Sequence, residues 1–278
     1  CRGTAGFAHV SCLAEQAKIL VAEAEENNLG PKAWNERWDR WEKCSLCEQK
    51  YHGVVCCALG WACWKMYLGR PEADFARKFA MTYLGNGLAA VNNYEDALTV
   101  GEAELSMEQR LGAPEASILI GMGNLAQTYN MLGREEDSLR MMRDIYFGSL
   151  KLYGEDGDTL LAANNYAMAL TSLRRCKEAK ELLRKTKPVA RRVLGENDQL
   201  MLHLRTIYAT ASYYDPDATL GDLRESVKTL EDTARIARRV MGGAHPFLES
   251  IERDLGKSRT VLSAHEAGKS VVFEPEES

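Results

Sequence analysis

A step of one kind divides this chain at near-equal intervals, and that period constrains its fold more than any other feature. The step appears as Leu68-Gly69, Leu111-Gly112, Tyr153-Gly154, Leu194-Gly195 and Met241-Gly242. The glycines lie 43, 42, 41 and 47 residues apart. Each follows a helical pattern, where a left-handed residue can satisfy the helix's last carbonyls. Acidic or proline residues come next, as in Gly112-Ala113-Pro114-Glu115, and suit the start of a new helix.

Within each interval the apolar residues predict two helices joined by a short turn. In the second interval, Ile118, Leu125, Tyr129 and Leu132 fall near helical spacing over 115–132. Gly133-Arg134 makes the turn, and Leu139, Met142, Ile145 and Leu150 mark a helix over 135–153. The third interval repeats this with Leu161, Tyr166, Leu170 and Leu173, a turn at Arg174-Arg175, then Ala179, Leu182 and Leu183. The fourth carries about six extra residues around Tyr213–Leu220, read as a longer loop. A last helix over 246–265 caps the stack. Small residues recur in register: Gly85, Ala126 and Ala167 in first helices, and Ala97, Ser138, Ala179 and Ser226 in second helices. Close helix approach requires them there. The expected fold is an all-α helical-repeat solenoid.

The units resemble tetratricopeptide repeats of the kinesin-light-chain type, over about residues 69–263. The likeness rests on the period, the Leu-Gly step, and the motifs Gly123-Asn124-Leu125-Ala126 and Asn164-Asn165-Tyr166-Ala167. It implies a concave groove that takes a peptide or partner protein. In that family the second Asn of the motif bonds the bound peptide's backbone, which makes Asn124 and Asn165 the peptide-groove residues here. Tyr83 and Thr206 occupy the matching places in the first and fourth units, so the Asn ladder is interrupted there.

The first fifty residues carry a different pattern: Cys1-x7-His9-x2-Cys12-x31-Cys44-x2-Cys47. Two thiolates spaced Cys-x2-Cys reach one tetrahedral zinc, and a His-x2-Cys pair offers a mixed set. With Cys1-Arg2-Gly3-Thr4 and His9-x2-Cys12-Leu13, this resembles the second half of a RING-CH, or RING-variant, zinc finger. The resemblance implies two interleaved zinc sites. His9 and Cys12 would share one, and Cys1, Cys44 and Cys47 the other, with the remaining ligands upstream. Metal binding by this chain is then expected to be incomplete and its first fifty residues poorly ordered. The resemblance also implies a ubiquitin ligase that recruits a conjugating enzyme and has no catalytic residue of its own. The expected domains are a partial zinc finger at 1–50, a connecting apolar helix at 51–68, tetratricopeptide-like repeats with a capping helix at 69–265, and an acidic disordered tail at 266–278.

Composition narrows the remaining classes. A net charge of −5 gives no basic face for nucleic acid. The most apolar run, 54–64, is too short for the roughly 20 residues of a membrane span, so no membrane partner is expected. Cys56, Cys57 and Cys63 in that run, and Cys176, read as core thiols in a reducing, cytoplasmic setting. The sequence contains no phosphate loop, nucleophile elbow, zinc-protease or calcium-loop motif.

Overall fold

The structure, a computed structural model, describes residues 8–269. The predictions for Cys1 and for most of the acidic tail lie outside those residues. The chain divides into two compact units, Cys1–Arg134 and Glu135–Ser278. Unit one holds α1 (Val10–Glu26), α2 (Pro31–Trp38), a single 3₁₀ turn (Asp39–Trp41), α3 (Gly53–Tyr67), α4 (Phe75–Ala89), α5 (Tyr94–Arg110) and α6 (Glu115–Met131). Unit two holds α7 (Glu135–Tyr153), α8 (Gly157–Ser172), α9 (Cys176–Val193), α10 (Gln199–Tyr214), α11 (Leu220–Met241) and α12 (Pro246–Glu266). In unit one α1 packs on both α2 and α3, and α3 to α6 pack in succession; in unit two successive helices pack side by side and α8 also packs on α10.

The period sets the helix ends. Gly112, Gly154, Gly195 and Gly242 take φ of +66°, +69°, +88° and +89°, the left-handed region that L side chains avoid. Arg174 does the same at φ +57° in the turn between α8 and α9. Starts are capped by carboxylates: Asp74, Asp156 and Asp198 accept from the backbone N–H of Ala76, Thr159 and Leu200. The fourth unit has the longer loop expected, 215–219 against 173–175 in the third unit, and α11 is longer as well, with 22 residues against 18 in α9. A capping box between Thr219 and Asp222 starts that longer helix.

Unit one closes on an aromatic core. Trp38, Trp41 and Tyr67 are buried with Ala17, Val21, Cys63, Ala76 and Ala80. Trp34 stacks on Trp38 with ring centroids 4.9 Å apart. Arg70 donates two bonds of 2.8 Å to Glu25 and ties the end of α1 to the approach to α4. Residues 10–41 are therefore regular helix and turn, where poor order was expected. The reason is packing: Trp34, Trp38 and Trp41 supply large rings to a core. The apolar helix over 53–67 is likewise a packing partner. A Cβ on Gly60 would lie 2.6 Å from the Tyr83 carbonyl oxygen, and one on Gly87 would lie 2.9 Å from Cys57 Cα. These two glycines bring the backbones of α3 and α4 together. Gly85, expected to serve that purpose, does not; its Cβ would make an ordinary 3.8 Å contact with Val100. Of the four thiols read as core residues, Cys63 is fully buried and Cys176 nearly so, whereas Cys56 and Cys57 are half-buried.

Unit two is packed with alanine. Ala163, Ala167, Ala179, Ala190, Ala209, Ala211 and Ala237 have no exposed surface, and Leu183, Leu202, Leu204 and Leu230 fill the space they leave. The Asp215–Thr219 loop is anchored inside: Lys180 Nζ donates to Asp215 Oδ2 at 2.5 Å, and both residues are buried. Ser226 Oγ donates to the Ala209 carbonyl at 2.9 Å and also meets Ser258 Oγ, joining α10, α11 and α12. The capping helix α12 extends one residue beyond the expected end and closes through Gly268 at φ +64°.

Candidate functional site

The first helices of the second and third repeats, α6 in unit one and α8 in unit two, each expose an amide among apolar residues. On α6, Asn124 and Gln127 are exposed, flanked at helical spacing by exposed Ile120 and Met131. On α8, Asn165 is exposed, flanked by exposed Leu161 and Met168. An amide at the centre of an apolar stripe can bond a peptide backbone while its neighbours cover side chains. Its neighbour Asn164, which sequence reasoning gave no role, is buried and donates from Nδ2 to Asn165 Oδ1 at 3.2 Å. That bond holds Asn165 in place, so Asn164 is a positioning residue. The faces end where the Asn ladder ends. Tyr83 packs on Trp38 in the aromatic core. Thr206 is buried and spends its hydroxyl on the Leu202 carbonyl at 3.0 Å.

Beside the α6 face, unit one contains a cavity of about 280 Å³ between α4, α5 and α6. Asn86, Asn124, Gln127 and Thr128 line it, along with Gly101 and Glu104. Glu104 accepts from the Thr82 hydroxyl at 2.5 Å. Burial pushes its carboxyl up to about 7; the Thr82 bond and Lys78 act against that shift and Glu108 adds to it. Lys78 pairs with the buried Glu108. Among the described residues no lysine or arginine forms an ion pair with Glu104. Neither Glu104 nor the cavity was anticipated, although the repeat register carried a signal. Seven places after the small residues Ser138, Ala179 and Ser226 stand Ile145, Thr186 and Thr233, whereas seven after Ala97 stands Glu104.

The finger's residues fall in two separate places. His9 caps the start of α1 and Cys12 lies in its first turn, both exposed. Cys44 and Cys47 lie in a turn closed by an isolated antiparallel bridge between Lys43 and Lys50. Within it, the Leu46 N–H faces Cys44 Sγ at 3.4 Å, and Glu48 takes φ +55°. Backbone N–H groups of Leu46 and Cys47 hold the Cys44 thiol below its ordinary range. This arrangement suits a thiolate and fits two of the four donors of a tetrahedral zinc. Among the described residues no group of three or more His, Cys, Asp or Glu side chains is placed to hold one metal.

No helix among the described residues is long and apolar enough to cross a membrane. Residues 159–199, from α8 through α9, match the tetratricopeptide-repeat family. No curated protein matches the chain. Among solved structures, the nearly identical TPR-like repeats described as kinesin light chain from Podosopora anserina superpose with a TM-score of 0.59 at 14% identity. That likeness covers 85% of this chain and all of the other. BtubC (BKLC) from P. vanneervenii covers 98% of each chain at 14% identity, with a TM-score of 0.54. The chain thus has an all-helical fold of tetratricopeptide-type repeats like those of kinesin light chains.

Proposed function

We propose that this chain is a protein–protein interaction scaffold whose α6 and α8 faces take extended peptide segments of a partner. One observation carries the reading: Asn124 and Asn165, at the same point of two successive repeats, are both exposed and both set between exposed apolar residues. None of the neighbours at i±3 and i±4 is charged, and they include Ile120, Leu161 and Met168. Each amide offers a donor and an acceptor to a peptide backbone, worth about 1 kcal/mol per net bond. The buried thiols of Cys63 and Cys176 suit a reducing, cytoplasmic setting. The test is selection of binders from a random peptide library on the whole chain. Asn124→Ala and Asn165→Ala should each weaken the selected peptides about tenfold while the melting temperature holds. Unchanged affinity in both variants would refute the reading.

A second reading has its own observation, the Cys44–Cys47 turn with an N–H aimed at sulfur. In it, Cys44 and Cys47 hold one zinc with Cys1, while His9 and Cys12 contribute to another. The zinc would fix the fold of the segment, and that segment would recruit a ubiquitin-conjugating enzyme for substrates chosen by the repeats. Zinc content per chain, extended upstream to include the remaining ligands, tests it first. Two zincs, reduced by Cys44→Ser, and autoubiquitination lost with them, would support this reading. No zinc would remove it.

A further inference from the structure

The inner face of α5 departs from the pattern that every other second helix of the repeats follows. Relative to the aligned small residues Ala97, Ser138, Ala179 and Ser226, the position four further on is Gly101, Met142, Leu183 and Leu230. Seven further on it is Glu104, Ile145, Thr186 and Thr233, and eleven further on Glu108, Ser149, Ala190 and Ala237. In α9 and α11 these side chains are buried and fill the core. In α5 the large apolar residue is replaced by glycine, and two carboxylates stand in positions that are otherwise apolar or small. Leu125 of α6 leans into the space at Gly101, within 2.8 Å of where a Cβ would be, and the rest of that space is the cavity. The cavity is thus a product of specific substitutions at α5.

Charge within it is unbalanced. Lys78 on α4 is committed to Glu108, and Glu104 has the Thr82 hydroxyl as its partner. A carboxylate half withdrawn from water without a paired cation is costly, and packing of the repeat has no need of one. The mouth of the cavity carries neutral amides, Asn86, Asn124 and Gln127, rather than further acids. A slot of this shape has an apolar, glycine-lined wall for a methylene stem and a carboxylate for its charged end.

We propose that the unit-one cavity receives a lysine side chain of the peptide bound along α6, with Glu104 as counter-ion to its ammonium. This deepens the scaffold reading and rests on it. The carboxylate form of Glu104 is the one that binds. Its proton is lost near pH 7, in a setting that contains Glu108 on α5, Lys78 on α4 and the Thr82 hydroxyl.

The test uses the whole isotope-labelled chain and two probes, acetyl-Ala-Ser-Lys-Ser-Ala-amide and the same peptide with norleucine for lysine. At pH 8 the lysine peptide should produce saturable shifts in the Gly101, Gly121 and Asn124 amides, with at least tenfold tighter binding than norleucine. Free n-butylammonium, added alone, should shift Gly101 and Gly121 but leave Asn124 in place, which separates a side chain in the slot from a peptide on the face. The lysine preference should shrink about tenfold from pH 8 to pH 5.5. Glu104→Gln, nearly isosteric and checked for helix content by circular dichroism, should abolish both the preference and its pH dependence. Equal binding of the two peptides, or a lysine preference that survives in Glu104→Gln, would overturn the proposal and leave the scaffold reading standing. Peptides selected from a library that bind but leave every α6 amide unshifted would overturn both.

Discussion

The two units differ in whether every acid drawn into the repeats is matched by a cation. In unit two, Lys180 is buried and matched by Asp215 at 2.5 Å, within a core of alanine and leucine. In unit one, Lys78 pairs with the buried Glu108, but the half-buried Glu104 lines a cavity and has a hydroxyl for a partner. The same repeat geometry supports both. Unit two's arrangement fixes a loop. Unit one's arrangement leaves an interaction unmade in the free protein, which is how binding sites differ from cores. Backbone approach differs too. Unit one uses glycine where α3 meets α4, and unit two uses alanine throughout.

Five substitutions test that contrast, ordered by expected size. Asp215→Ala strands the Lys180 ammonium in the core and should cost about 4 kcal/mol of unfolding free energy in urea titration. A cost under 1 kcal/mol would mean that water reaches the pair and that unit two is not closed there. Glu104→Gln should act with the opposite sign. A carboxyl raised from 4.5 to about 7 keeps its proton in the folded chain after the unfolded chain has lost its own. Stability from this group is therefore full below the ordinary carboxylate range and lost as pH rises to 7. The glutamine variant should be more stable than wild type by about 3 kcal/mol at pH 8, with no difference at pH 4. Loss of stability at pH 8 would place Glu104 in the same structural class as Lys180. Gly60→Ala drives a Cβ against the Tyr83 backbone and should cost about 2 kcal/mol. Gly123→Ala, whose Cβ meets nothing within 4 Å, should gain about 1 kcal/mol by helix propensity. Equal effects would show that α3 and α4 can separate freely. Thr219→Ala removes the capping box of α11 and should lower stability by about 1 kcal/mol, seen as a small fall in melting temperature.

The helical period was legible because it depends on local chemistry. Glycine in the left-handed region and carboxylates at helix starts are read one residue at a time, so α7 was placed at 135–153 and α6 to within a residue. Asn124 and Asn165 stood out for a similar reason, as polar residues at fixed places in a motif. What escaped was set by neighbours in space. Gly85 and Gly87 look alike in sequence, and only the approach of Cys56 and Cys57 shows which one the fold requires. Trp34, Trp38 and Trp41 follow one another at near-helical spacing, but only their contacts with Tyr67 and Phe79 show that they meet in one core. The turn-forming residues near Tyr213 do make a longer loop at 215–219, but the added length of α11, started by the Thr219–Asp222 cap, was not legible. Glu104 was visible only by comparing repeats position by position, since a glutamate on an amphipathic helix ordinarily faces water.

The most direct test of the scaffold account is amide hydrogen exchange on the whole chain, with and without a saturating library-selected peptide. The account predicts added protection in α6 and α8, around Asn124 and Asn165, with α9 and α11 unchanged. Protection confined to α9 and α11, or spread evenly over all helices, would contradict it.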